Sequence, residues 1–251
     1  MGESLYEEPL LAEVYDLFNA WGEDNDFYLG LCSPGVGSVL DLGCGTGLLA
    51  AEMAKRAEAA GLEPAAAMLD IARVRPGGER VAWIQGDARD FELNRRFDLI
   101  YCTGHAFQAF LTEEDRRAVF RQVRRHLADG GRFAFETRNP AVRAWLRWAE
   151  AEPRRVRHPR LGGVELSQRL LSERDGLVAY RSCYRFIEQG RELEVDARLR
   201  FCGLAALRAE WEAEGLRAQT LHGDWQGGEW REDSEEIILC LMRDGDQPVL
   251  G

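Results

Sequence analysis

The residues with the clearest chemical potential are Val39-Leu40-Asp41-Leu42-Gly43-Cys44-Gly45-Thr46-Gly47. An apolar run that breaks into closely spaced glycines loses the Cβ atoms that would hold a ligand away from the backbone. Amide N–H groups and the start of the next helix can then approach a nucleotide or nucleoside. Spacing discriminates between ligands. A dinucleotide fingerprint is GxGxxG, and its third glycine would fall on Leu48. The run reads Asp-x-Gly-x-Gly-x-Gly, with a carboxylate at the end of the strand. No metal is expected: the six cysteines (Cys32, Cys44, Cys102, Cys183, Cys202, Cys240) form no CxxC pair and no Cys/His cluster of zinc spacing. Several lie in apolar runs, as free thiols of a reduced cytoplasm do.

These residues need elements to hold them. Apolar residues at helical spacing over Leu5–Leu31 predict two short helices broken near residues 21–24. Residues 38–42 read as a strand, 48–59 as a helix, 61–63 as a weak strand and 65–73 as a helix entered through Pro64. Strands at 81–85, 97–102 and 132–137 alternate with a helix at 113–127, the pattern of a parallel sheet covered on both faces. After a helical stretch at 141–151, residues 161–202 carry three β-rich runs. Leu193, Val195, Ala197, Leu199 and Phe201 share one face, and hairpins fall at Asp175-Gly176 and Gln189-Gly190. A helix at 203–213 and strands at 218–222 and 236–241 complete the chain, with a frayed tail over 244–251.

On the glycine run, the chain resembles the class I S-adenosylmethionine-dependent methyltransferases, whose first motif is Asp41-x-Gly43-x-Gly45-x-Gly47. Four further motifs follow in order over residues 36–138: Glu63 at the end of strand two, Gly86-Asp87-Ala88 after strand three, Phe97-Asp98-Leu99-Ile100-Tyr101-Cys102 on strand four, and His126–Phe133 before strand five. The resemblance implies that Asp41, Gly43, Cys44, Gly45 and Gly47 approach the methionine part of the cofactor and that Glu63 holds the ribose hydroxyls. It places Met68 beside the adenine, has Asp87 and the Ala88 N–H read the adenine edge, and puts Cys102 on the cofactor side of strand four. Tyr15-Asp16, Asp24 and Asp26-Phe27-Tyr28, with the β-rich insertion, are similar to a small-molecule subgroup that includes amino-sugar and glycine-type N-methyltransferases. No Asp/Asn-Pro-Pro-Tyr/Phe follows strand four, and the Pro-Cys pair of cytosine-5 enzymes is missing.

The cofactor supplies an activated methyl, so the protein must orient a nucleophile with a free lone pair and exclude water. His105, just past strand four, is the candidate general base, with local packing as its rival role. Gln108 and Arg138 are placed to bind the acceptor. Tyr15 and Tyr28 either cover the site or pack a helix face, and Trp225 either lines the acceptor pocket or caps the insertion's core. His126 suits a helix C-terminus, and His158 and His222 read as surface or strand residues.

Charge sets the outer limits. Thirty-two basic against 43 acidic residues leave −11, a poor footprint for nucleic acid or an anionic membrane. Within that sum, seven arginines between Arg138 and Arg160 face only Glu150 and Glu152, which accommodates one small anionic acceptor. No apolar run is long enough to span a bilayer, and the acidic start lacks signal-peptide character, so a cytoplasmic protein is expected.

The expected architecture is α/β: a Rossmann-like, doubly wound seven-strand sheet with a small antiparallel β insertion as acceptor lid. The divisions are a helical cap (1–34), a cofactor-binding core (35–140), a linker helix and insertion (141–202), and the last helix and strands (203–251). The expected activity is methyl transfer from S-adenosyl-L-methionine to N or O of a small metabolite, leaving S-adenosyl-L-homocysteine, by a monomer or homodimer. A non-catalytic cofactor-binding sensor and an aminopropyltransferase-like enzyme are the alternatives.

Overall fold

The structure, a computed structural model, describes residues 4–247. Its core is a seven-stranded sheet in the order β10-β11-β5-β4-β1-β2-β3. The strands are β1 (Ser38–Leu42), β2 (Glu58–Glu63), β3 (Val81–Gln85), β4 (Phe97–Cys102), β5 (Leu127–Arg138), β10 (Leu216–His222) and β11 (Glu236–Arg243). β1 through β5 pair in parallel, whereas β11 runs antiparallel to both β5 and β10. Central strands β1, β4 and β11 are almost continuously buried because helices cover both faces.

On one face α6 (Glu113–His126) and α8 (Leu204–Ala213) pack Val119, Phe120, Val123, Leu207 and Trp211 against the sheet. On the other, α3 (Glu23–Leu31) and α4 (Leu48–Met53) contribute Tyr28, Leu49, Ala50 and Met53. Local chemistry agrees with position: α6 opens on a reciprocal Thr112–Asp115 capping box, with acids in its first turn and Arg124, Arg125 and His126 in its last.

The remaining strands form a separate antiparallel sheet of β6 (Arg154–His158), β7 (Gly162–Arg174), β8 (Leu177–Phe186) and β9 (Arg191–Arg200). The β7–β8 hairpin turns through Asp175 and Gly176, both at positive φ, as a two-residue hairpin requires. Val178, Tyr180, Ser182, Tyr184 and Phe186 point inward along β8. They and their neighbours pack on α2 (Pro9–Phe18) and on α7 (Trp145–Glu150), while α1 (Ser4–Glu7) and α5 (Ala66–Val74) complete the helices. Among the described residues no helix is long and apolar enough to cross a membrane.

Several expected boundaries move. The helix expected over 48–59 stops at Met53, and residues 58–60 join β2 because β1 and β3 supply ladders on both sides. The insertion has four strands rather than three: β6, Arg-Arg-Val-Arg-His, is an edge strand whose one apolar side chain is Val156, so it has little alternation to read. The 141–151 helix is interrupted at Arg143, which adopts φ 52°. The start of the tail expected to fray is tied down: Asp244 N–H donates to Gly215 O, and the Asp246 carboxylate accepts from Gly130 N–H and Arg243. Residues 248–251 lie outside the described residues.

Candidate active site

The ends of β1, β2 and β4 converge on one edge of the sheet. Gly43, Gly45 and Gly47 all take positive φ, and a Cβ on Gly43 would come within 3.2 Å of Ala106, so the turns after β1 and β4 approach closely. Glu63, at the end of β2, is buried and accepts the Gly45 N–H on Oε2 (3.0 Å) and the Ala65 N–H on Oε1 (3.0 Å). Each oxygen retains a second lone pair for an O–H donor. Burial raises the Glu63 pKa, and those two amides pull it back. Asp41 is buried as well. Burial raises its pKa, and its Oδ1 has no hydrogen-bond partner; Thr103 Oγ1, after β4, is likewise sealed without one.

The neighbouring walls differ in character. Met68 packs with Ala12 and Ala65 beneath Tyr15, and burial pushes the Tyr15 hydroxyl above its ordinary value. Asp87 faces Arg89, whose hydrogen bonds hold its carboxyl below the usual range. Ala88, Cys44 and Cys102 are buried, and burial keeps both thiols protonated. Asp16 of α2 closes this side: it accepts from Thr46 of the glycine turn and from Arg75 after α5, and Arg75 Nε also donates to Thr46 O (2.6 Å).

Beside the glycine turn lies an acidic cluster. His105 adopts φ 60°, an uncommon conformation for a non-glycine residue. Its N–H donates to Glu136 Oε1 (2.6 Å), and its Nε2 lies 3.1 Å from both carboxylate oxygens of Glu236. Tyr28 donates to the other oxygen of Glu136, which is fully buried; burial raises the Glu136 pKa against the pull of His105 and Tyr28. Neither glutamate was singled out from the sequence. Glu136 did leave a signal there, as a lone carboxylate inside the apolar strand Arg132–Thr137, whereas Glu236 merely opens a run of apolar residues.

Arg138 and Gln108 also meet: Arg138 donates to Gln108 Oε1 (2.9 Å), and Gln108 Nε2 donates to Arg200 O (3.3 Å). The Arg138 guanidinium lies 5.0 Å from the centre of the Trp148 ring. Trp225 is placed elsewhere, packing on Phe27 and Tyr28 of α3 rather than on the insertion's core. The arginine run does not form a basic field. Arg147, Arg155, Arg157 and Arg160 pair with Glu235, Glu165, Glu188 and Glu13, acids outside the run.

Comparison with known proteins agrees with this geometry. A family model described as a methyltransferase domain matches residues 39–131, from β1 to the turn inside β5. The chain is 24% identical to a cypemycin N-terminal methyltransferase of Streptomyces sp, over 96% of this chain and 98% of that protein. Residues 39–131 are a methyltransferase domain, and the matches together support the class I S-adenosylmethionine-dependent family. A dTDP-4-amino-2,3,4,6-tetradeoxy-D-glucose N,N-dimethyltransferase of Saccharopolyspora spinosa is 43% identical to this chain, over 39% of each protein. A solved S-adenosylmethionine-dependent methyltransferase of Clostridium acetobutylicum shares its fold, with TM-score 0.76 and 18% identity over 94% of this chain and 98% of the other. The glycine turn has room for the family's cofactor: a Cβ on Gly45 or Gly104 would meet nothing within 4 Å.

Proposed function

We propose that this chain is an S-adenosylmethionine-dependent methyltransferase that methylates an amine nitrogen of a small-molecule acceptor. Bound S-adenosylmethionine supplies a methyl group activated by its sulfonium centre. Asp41, Gly43, Cys44, Gly45 and Gly47 would cradle its methionine part and Glu63 its ribose hydroxyls. Met68, Asp87 and Ala88 would flank the adenine, with Cys102 and Tyr15 closing the cavity.

The observation that carries the reading is the His105–Glu236 pair set over Glu136. A protonated amine has no lone pair and must lose a proton before it can attack. With Nε2–H directed at Glu236, the imidazole keeps its lone pair on Nδ1, the atom that would take that proton. The two glutamates favour a cationic acceptor over a neutral alcohol. Gln108, Arg138 and Tyr28 would stand on the acceptor side. Trp225 would act through Tyr28, against which it packs. Two of the relatives named above carry names that specify transfer to an N-terminus or to the nitrogen of an amino sugar.

The test measures S-adenosylhomocysteine formation with paired amine and hydroxyl acceptors of the same carbon skeleton. Amines are expected to react. His105→Gln should lower kcat by roughly 100- to 1,000-fold while leaving the Kd for S-adenosylhomocysteine unchanged. Turnover of the hydroxyl members alone would reject the reading.

A further inference from the structure

The antiparallel ladder between β5 and β11 stops at the site edge of the sheet. Glu236 opens β11 and lies in register with Arg138, the last residue of β5. Asn139 and Pro140 follow. Proline has no N–H to donate, and the chain turns away over Pro140–Val142. A ladder end of this kind ordinarily frays. Here a side chain extends it.

Asn139 is buried, and every hydrogen-bonding group it carries is engaged. Its main-chain N–H donates to Glu235 O (3.0 Å), and its main-chain oxygen accepts from Val142 N–H (3.3 Å). Nδ2 donates to Glu232 O (2.9 Å) and Ser234 O (2.8 Å), while Oδ1 accepts the Ala141 N–H (3.1 Å). The Ala141 bond caps the short turn after β5, and Asp, Ser or Thr would cap it as well. The two Nδ2 bonds are not part of that cap. Only Asn or Gln offers one acceptor and two donors in a single side chain, and here both donors cross to the segment that leads into β11. That segment is itself closed: Ser234 N–H donates to Arg231 O (3.0 Å), and Ser234 Oγ accepts the Arg231 N–H (2.9 Å). Asn139 therefore grips the carbonyls of residues 232, 234 and 235 immediately ahead of Glu236.

Glu236 stands between two partners. Both of its carboxylate oxygens lie 3.1 Å from His105 Nε2. Arg138 is its cross-strand neighbour, an arrangement that favours pairing of opposite charges, yet Arg138 turns to Gln108. The backbone just before Glu236 sets the direction of its side chain, and that backbone is the part Asn139 grips.

We propose that Asn139 is a positioning residue: by clamping the turn ahead of β11 it holds the Glu236 carboxylate on His105 Nε2 and so keeps the His105 lone pair on Nδ1. The proposal rests on the reading of His105 as the base for an amine. Without the clamp, Glu236 is free to turn to Arg138, and the imidazole loses the acceptor that fixes its tautomer.

The experiment follows the ring nitrogens of His105 by heteronuclear NMR in the S-adenosylhomocysteine-loaded full chain, in mildly alkaline buffer where imidazoles are neutral. His105→Gln identifies its signals among those of the four histidines. Wild type is expected to carry the ring proton on Nε2. Asn139→Ala should give a mixture of both tautomers. Asn139→Asp keeps the cap on Ala141 but turns an oxygen toward two carbonyls; it should show the same mixture, and it decides the point if Asn139→Ala does not fold. Arg147→Gln releases the neighbouring Glu235 side chain without touching the clamp, and should leave the ring as in wild type. With an amine acceptor, kcat of the Asn139 variants should fall roughly 10- to 100-fold, as misplacement of a reacting group by about 1 Å does, with the Kd for S-adenosylhomocysteine unchanged.

A folded Asn139 variant whose His105 still carries its proton on Nε2 overturns the positioning role and leaves the amine reading intact. A wild-type ring protonated on Nδ1 overturns both. Mixed tautomers in the Asn139 variants, beside a His105→Gln enzyme of wild-type kcat, uphold the clamp and reject the base.

Discussion

Gly45 and Gly47 share positive φ but differ in what a Cβ would meet. At Gly47 it would run into the Trp83 ring, whereas at Gly45 it would meet nothing within 4 Å. Gly45→Ala is therefore expected to cost roughly 1–2 kcal/mol of stability for the left-handed conformation and to lower S-adenosylhomocysteine affinity at least tenfold. Gly47→Ala should cost more stability, because Trp83 must also move; thermal denaturation and isothermal titration separate the two effects. Glu63 makes a pH prediction. Its raised pKa means the folded, cofactor-free protein holds that proton more tightly than the unfolded chain, so its contribution to stability falls as pH rises toward the folded pKa. The cofactor's ribose needs the ionised form, so affinity should instead fall as pH is lowered through the same range, beginning above the ordinary carboxyl value of about 4.3. Glu63→Gln should weaken binding at neutral pH and flatten this dependence; a steep dependence surviving in the variant would refute the assignment.

Two ties between elements set the frame around the site. Arg116 of α6 and Glu210 of α8 form a buried bidentate pair at 6% and 5% side-chain exposure. Glu210→Ala should destabilise by about 3–5 kcal/mol, because the guanidinium stays buried without its partner. Arg116→Met with Glu210→Leu should recover most of that loss in a melting experiment, since the double replacement removes both desolvated charges. The second tie is Asp16, which joins α2 to the glycine turn and to Arg75. Because the pair is partly exposed, Asp16→Ala should cost only about 1 kcal/mol of stability. A clearer fall in cofactor affinity is expected, since Thr46 loses its brace. The helices are legible in sequence where capping and periodicity coincide, as in α6. Strand β6 and the early end of α4 are not, because their conformation comes from ladders supplied by distant strands.

For the whole molecule, the −11 charge conceals extensive local pairing: even the arginine-rich segment after β5 is largely neutralised by acids from elsewhere. S-adenosylhomocysteine at 100 times its Kd should stabilise the fold by about 2.7 kcal/mol, a rise of roughly 5–10 °C in Tm for a chain of this size. NAD at the same concentration should leave Tm unchanged, as the missing third glycine of the dinucleotide motif requires.

By itself the sequence determined the α/β class, pointed to the cofactor family, and marked Asp41, Gly43, Gly45, Gly47 and Glu63 as the residues proposed to cradle the cofactor. Those features are local: glycine spacing, strand ends and helix starts lie within a few residues of one another. Only the tertiary structure decided that Glu236 holds His105, that Glu136 braces its backbone, and that Arg138 meets Gln108 rather than its cross-strand neighbour Glu236. Those relations join residues up to 131 apart through cross-strand pairing, and no local pattern encodes which of many charged side chains the fold will bring together.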